Sequence, residues 1–261
     1  RENARSTASF YDPNEVISES TPTTTQVTVT LKELIHDMDI DNFLLSTRSD
    51  RTDIEAEFLS EGAKIMRFTA LDEFYYGNDA VNAKGFDGLH LLTVAAQRVS
   101  MGTGTTGAAL SMNSLDQLID LIAGEPPDIL VTTRALRRRI NAYVRANGLY
   151  ESMRDDWGNM ISVYQGIPLH VDDSMVQTET LASGIYDAKT GGSTGSVFAI
   201  RFGPRDVFGI QNSGSITHLP IGQLESKDSI RHRLRWYFAV GLGGTLGLAR
   251  LDGATNVAAV S

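Results

Sequence analysis

Of the 261 residues, 41% are hydrophobic and 21% charged, enough apolar material for a substantial core and far from the composition of disordered chains. Thirty-two acidic against twenty-three basic residues leave a net charge of −9, the wrong sign for a protein that works by gripping phosphates. Cysteine is absent, which excludes disulfides, thiolate nucleophiles and cysteine-ligated metals; no apolar run is long enough to span a membrane, and no secretory signal is present.

Residues 1 to about 26 are rich in Ser, Thr, Asn and Pro and read as an extended arm. The chain opens on Arg1, which leaves open whether an N-terminal piece has been removed or the sequence simply starts late. Val27 and Val29 alternate with threonines, and apolar residues continue to Phe43 between His36, Asp37, Asp39 and Asp41; this predicts a strand passing into a short irregular segment. Thr52-Asp53-Ile54-Glu55 is a capping box that opens a helix to about Tyr76. Ile54, Phe58, Ile65, Phe68, Leu71 and Tyr75 recur on one side of it and predict its buried face. A long amphipathic helix without a sequential helical partner suggests a spine lying across a sheet.

A second helix is predicted from Ser114 to Gly124, then a buried strand at Ile129–Thr132 and a helix at Thr133–Asn147 with Leu136, Ile140, Tyr143 and Val144 inward. Strands follow at Ile161–Tyr164, Pro168–Val171, Ser196–Phe202, Val207–Ile210, Ile230–Val240 and Leu246–Leu251, separated by glycine-rich turns such as Thr190–Gly195. The class is α+β.

Candidate chemistry is sparse. Gly102-Thr103-Gly104-Thr105-Thr106-Gly107 fits the dinucleotide fingerprint, with Asp128 about twenty residues beyond it. The fingerprint needs a strand before the first glycine and a helix starting at the glycines, and here a polar Arg98-Val99-Ser100 precedes it while the next helix waits for Ser114. A flexible loop is the favoured reading, and no cofactor is expected. Gly241–Gly247 joins two strands and reads as a bulge or bend. His36, His90, His170, His218 and His232 are scattered without zinc-site spacing and read as ordinary surface or strand histidines; a metal site would need partners brought from afar, and none is expected. Asp155-Asp156 and Asp172-Asp173 read as solvated turn carboxylates, and no Gly-x-Ser-x-Gly elbow is present.

Eighteen of the twenty-three basic residues are arginine. Arg231, Arg233 and Arg235 alternate along a strand and share one face, where their planar forks suit carboxylates. Arg134, Arg137, Arg138 and Arg145 line the polar side of their helix. These arginines, Arg231, Arg233, Arg235, Arg137 and Arg138 above all, are candidate subunit-interface residues, the strand trio pairing with carboxylates across a subunit boundary; a solvated charged surface is the alternative.

The order of elements resembles the major capsid proteins of tailed double-stranded DNA phages, whose Hong Kong 97-type fold is shared with encapsulins. Asp39-Ile40-Asp41-Asn42-Phe43, the turn 46–51 and the helix from Asp53 are similar to that family's passage from extended loop to spine helix. Phe74–Asp79 followed by Gly85-Phe86-Asp87-Gly88-Leu89 is similar to its turn after the spine. Leu110-Ser111 into Ser114–Ile119, Pro127–Val131 and Tyr164–Leu169 resemble parts of its axial domain, and Leu224–Trp236 with Gly244–Leu251 its closing strands.

The resemblance implies an arm and extended loop at 1–47, a peripheral domain with the spine helix at 48–112, an axial domain at 113–215, a peripheral strand return at 216–240 and an axial return at 241–261. It implies a structural, non-enzymatic protein that tiles with itself as hexamers and pentamers into an icosahedral shell around viral double-stranded DNA. The acidic charge suits a wall to which packaged DNA should not adhere. It implies a place in the virion capsid after assembly in the host cytoplasm, possible portal, scaffolding or decoration partners, and no membrane. An encapsulin-type nanocompartment shell is the alternative, and a dinucleotide-binding enzyme built on Gly102–Gly107 a more distant one.

Overall fold

The computed structural model describes residues 2–4, 8–17, 23–24, 26–48, 53–102, 106–148, 151–154, 158, 160–180, 189–212 and 214–260. In chain order the elements are β1 (Glu2–Ala4), β2 (Thr23–Thr24), β3 (Lys32–Asp41), α1 (Asn42–Arg48), α2 (Ile54–Tyr76), α3 (Leu89–Leu92), β4 (Arg98–Ser100), β5 (Ala108–Ser111) and α4 (Met112–Asp120). They continue as β6 (Ile129–Thr132), α5 (Arg134–Ala146), β7 (Glu151–Arg154), β8 (Met160–Tyr164), β9 (Ile167–Val171), β10 (Thr194–Ile200), β11 (Val207–Gln211), β12 (Thr217–Gln223), β13 (Ser229–Leu242) and β14 (Leu248–Val260). Among the described residues no helix is long and apolar enough to cross a membrane.

The central sheet runs β4-β14-β10-β6-β9-β8-β7, with β5 also on β14. Its inner strand β10 is buried at every position, which explains the unbroken apolar run Val197-Phe198-Ala199-Ile200 in place of an alternating pattern. Val197 and Ala199 pack with Leu115, Leu118, Leu136 and Ile140 of α4 and α5. Phe198 and Ile200 point the other way, into a second core with Tyr75, Tyr76 and Leu89 from the end of α2 and from α3. The sheet is therefore the middle layer of a helix–sheet–helix stack. Gln165 and Gly166, both at positive φ, form the two-residue turn between β8 and β9 that matches strand twist.

A second sheet is built on β13, the longest strand. Its one edge pairs with β11 and β12 and its other edge with β3, all antiparallel. The stretch expected to be irregular after Val29 is thus the regular strand β3, and the ordered pairing begins at Lys32, not at Val27. β3 alternates Leu34, His36, Met38 and Ile40 with Glu33, Ile35, Asp37 and Asp39; the acidic residues that looked like interruptions are its outward period-two positions.

Helix α2 spans 23 residues, about 34 Å at 1.5 Å per residue. Asp53 caps it by accepting from the Ala56 amide at 3.1 Å, and Glu55 and Glu57 sit in the first turn, where the helix dipole favours them. Thr52 of the expected capping box lies outside the described residues. The buried face is Gly62, Met66, Ala70, Tyr75 and Tyr76, which corrects the expected face. Only Tyr75 of the predicted set is buried there, while Phe58, Ile65 and Phe68 are exposed. Small residues decide this. A Cβ at Gly62 would stand 2.3 Å from the Met38 sulfur, so the helix lies so close to β3 that its small-residue face must be the one turned inward.

The remaining helices differ less. α4 starts two residues before the expected Ser114 and ends at Asp120, short of Gly124. α5 matches its prediction, capped by Thr133, whose hydroxyl accepts from the Leu136 amide at 3.3 Å, with Leu136, Ile140 and Val144 buried. β14 runs nine residues past the expected Leu251. Strands β1, β2, β4, β5, β7 and β12 are not among the expected strands.

Candidate functional site

The arginine strand is where the alternation placed it. Register sets Arg231 opposite Asp39 and Arg233 opposite Asp37 across β13 and β3. Both pairs are two-pronged: Arg231 donates to Asp39 at 2.6 and 2.8 Å, Arg233 to Asp37 at 2.7 Å twice. The guanidinium hydrogen bonds hold the Asp37 and Asp39 carboxyls below the ordinary carboxylate range and raise both arginines further. The carboxylates expected from another subunit are thus supplied by this chain's own β3, a correction to the pairing expected from sequence. Arg235 lies opposite Ile35 and instead covers the Tyr237 ring at 5.8 Å. All three side chains stay on an open face of the sheet.

On α5, Arg137 and Arg138 are exposed and make no ion pair among the described residues. Arg134 forks onto Asp173, and Arg139 donates to the Asn256 side chain and carbonyl, each at 3.0 Å. Asp172 of the same pair accepts from the Tyr75 hydroxyl at 3.1 Å, so this turn is a brace rather than a cation site. Asp155-Asp156 lies outside the described residues.

The outward face of α2 is the larger surface feature. Phe58, Ile65 and Phe68 stand 39%, 43% and 58% exposed on one stripe about 15 Å long. Beside it, α2 and the second sheet leave a cleft of about 420 Å³ lined by Arg67, Leu71, Phe74, Ile210, Trp236 and Phe238. Along the N-terminal segment Phe10, Val16 and Ile17 are nearly bare. Glu61 stands between Phe58 and Ile65 on the same side of the helix, so the exposed apolar residues there are interspersed with charge, whereas the cleft is lined mainly by apolar side chains, the kind of surface that marks an interaction site.

Behind that face lies a buried polar junction that the sequence did not disclose. Glu179 accepts from the Tyr76 hydroxyl at 2.7 Å and the Ser196 hydroxyl at 2.6 Å, and its Oε1 is 3.2 Å from His90 Nε2. His90 Nδ1 faces the Tyr75 carbonyl at 2.9 Å. Both ring nitrogens therefore face oxygen acceptors. Arg250, fully buried, donates to Ser196 at 3.2 Å, and Asp252 pairs with Arg98. Burial would push the Glu179 carboxyl up, but His90, Arg250 and Ser196 outweigh it and hold it below its usual range. Burial, then Arg250, press His90 below its ordinary value against the pull of Glu179. The junction joins α2, α3, β10 and β14, and its side chains are buried among the described residues. In the sequence its only mark is a charged Arg250 and Asp252 inside an apolar strand.

The glycine loop does not have the context of a dinucleotide site. β4 ends at Ser100, β5 opens at Ala108, and both lie parallel to β14, with the next helix only at Met112. Gly102 holds φ +86°, a conformation that favours glycine for the turn itself. Thr103, Gly104 and Thr105 lie outside the described residues. Asp128 accepts from the Phe202 amide at 2.7 Å and so closes a sheet connection.

No protein-family model matches the chain and no curated protein matches it. Solved structures do. The chain is similar to the holo-SrpI encapsulin complex from Synechococcus elongatus PCC 7942, with a TM-score of 0.73 and 16% identity over 93% of this chain and 80% of that one. It is similar to the capsid of the native GTA particle, with a TM-score of 0.66 and 14% identity over 97% and 83%. A structure of Mycobacterium phage Cain matches with a TM-score of 0.57 and 18% identity over 95% and 80%.

Proposed function

We propose, from the Hong Kong 97-type fold that the chain shares with these structures, that it is a shell subunit whose work is to assemble with copies of itself into a closed capsid. The observation that carries this is the extent of the likeness, which takes in 97% of the chain against the GTA capsid. The surfaces support it. Exposed apolar residues on α2, an apolar cleft and bare apolar residues on the N-terminal segment are surface that contact with neighbouring molecules would bury. In the fuller reading the protein is the major capsid protein of a tailed phage, structural and not an enzyme. It forms hexamers and pentamers around double-stranded DNA in the virion after assembly in the host cytoplasm, with portal, scaffolding or decoration proteins as further partners.

In that reading 1–47 is the arm and extended loop, 48–112 with 216–240 the peripheral domain, and 113–215 with 241–261 the axial domain. Arg231, Arg233, Arg235, Arg137 and Arg138 stand as interface residues. With Asp37 and Asp39 already on the strand pair, the face offers both signs of charge to a neighbour, which favours specific register over simple attraction.

A second reading is an encapsulin-type nanocompartment shell, favoured by the 0.73 TM-score to the SrpI complex against 0.66 for the GTA capsid. Electron microscopy of negatively stained, purified protein tests both. Uniform hollow particles are expected, nucleic acid inside them marks the phage reading and cargo protein the encapsulin reading. A solitary 28.4 kDa species under every condition would overturn both.

A further inference from the structure

β12 and β13 bring together two histidines fourteen residues apart in the sequence. His218 faces Leu234, and His232 faces Pro220, so the two imidazoles are diagonal neighbours on the sheet face that α2 covers. His218 Nε2 and His232 Nδ1 are 2.9 Å apart, with the rings nearly parallel at 18°. Glu55, on the first turn of α2, holds a carboxylate oxygen 3.7 Å from the same His232 nitrogen. His232 is buried, Glu55 is half exposed, and His218 lies at the surface.

We propose that His218 and His232 chelate a divalent first-row transition metal such as Ni²⁺, Cu²⁺ or Zn²⁺, with the Glu55 carboxylate closing a third position and water the rest. Metal–imidazole bonds of about 2.05 Å meeting at a right angle separate the two nitrogens by about 2.9 Å, and at the tetrahedral angle by about 3.3 Å. The observed pair falls at the first of these values. The carboxylate must come in by a few tenths of an ångström, within reach of a half-exposed glutamate. Two nitrogens therefore stand at the spacing one ion needs, and because no three-residue cluster is preassembled among the described residues, the ion itself must draw in the third ligand. In the free protein one N–H bridges the two rings. The metal takes that proton's place, and the ring that donated it takes up a proton from solvent on its other nitrogen, so both imidazoles stay neutral and no net proton is released. Imidazole with a carboxylate suits nickel, copper and zinc, whereas magnesium and calcium take oxygen ligands. The bound ion would tie the β12–β13 hairpin to the N-terminal turn of α2.

Calorimetric titration of tag-free protein with nickel chloride, read together with thermal unfolding, tests this. One ion per chain is expected, with a rise in unfolding temperature at saturation and no response to magnesium chloride. His218→Ala removes an exposed side chain, keeps the fold by circular dichroism, and should lose both the binding and the rise. His36→Ala and His170→Ala should keep them, and Glu55→Gln should weaken them. Absence of saturable binding, or wild-type binding by His218→Ala, overturns the site; unchanged binding by Glu55→Gln strikes the carboxylate from it. Neither result depends on whether the protein forms shells.

Discussion

Replacing Glu179 is the most direct probe of the junction that fixes α2 to the central sheet. Glu179→Ala removes the acceptor of the Tyr76 and Ser196 hydroxyls and the partner of His90, and leaves Arg250 facing an enclosed region that has lost a negative charge. Hydrogen bonds to a charged group contribute about 1.5–3 kcal/mol each and do not add, while breaking a buried ionic pair costs about 3–5 kcal/mol, so about 3–5 kcal/mol is expected for the alanine variant. Glu179→Gln keeps the shape, one acceptor and a donor that a neutral His90 can accept, and should cost about 1.5–3 kcal/mol. At about 2–4 °C per kcal/mol for a chain of this size, alanine lowers the unfolding temperature by about 6–20 °C, with glutamine falling between it and the parent. Urea unfolding followed by circular dichroism measures both on the same protein. Equal costs for the two variants, or an alanine variant within about 1 kcal/mol of wild type, would show that the junction is not a stabilising unit.

The outward face of α2 gives the opposite signature: Ile65→Glu with Phe68→Glu should leave unfolding within about 1 kcal/mol of wild type, because both side chains are exposed, yet abolish particles in size-exclusion chromatography. Gly88→Ala puts a methyl 2.7 Å from the Tyr75 carbonyl and the Gly77 nitrogen, backbone atoms that cannot swing aside, so a loss of about 1–3 kcal/mol is expected in urea unfolding. Arg233→Asp should disturb assembly, and the swap Arg233→Asp with Asp37→Arg should restore it if the pair itself matters; intact particles from the single variant would remove Arg233 from the interface. Because the Asp37 and Asp39 carboxyls are held below 3.8, their contribution is present above that pH and lost as acid takes the solution below it; carboxyl NMR titration should show both shifts, and each should vanish in the matching arginine-to-alanine variant.

What could be read in the sequence is what local chemistry decides. The box at Thr52–Glu55 marked the start of α2, where Asp53 supplies the cap, the spacing of Leu136, Ile140 and Val144 picked out the buried side of α5, and the apolar stretches at 129–132 and 196–202 marked strands, each acting within a few residues. The alternation of Arg231, Arg233 and Arg235 likewise put them on one face, but not opposite Asp39 and Asp37, since pairing joins residues nearly two hundred positions apart. Tertiary structure alone decided which stripe of α2 is buried, because two faces were apolar enough and the close approach of Gly62 to Met38 chose between them. It alone assembled Glu179 with His90, Tyr76, Ser196 and Arg250, and His218 with His232. Such contacts carry no periodic mark, since a side chain's partner across a sheet or between layers is set by register and packing, which the order of residues along one strand does not contain.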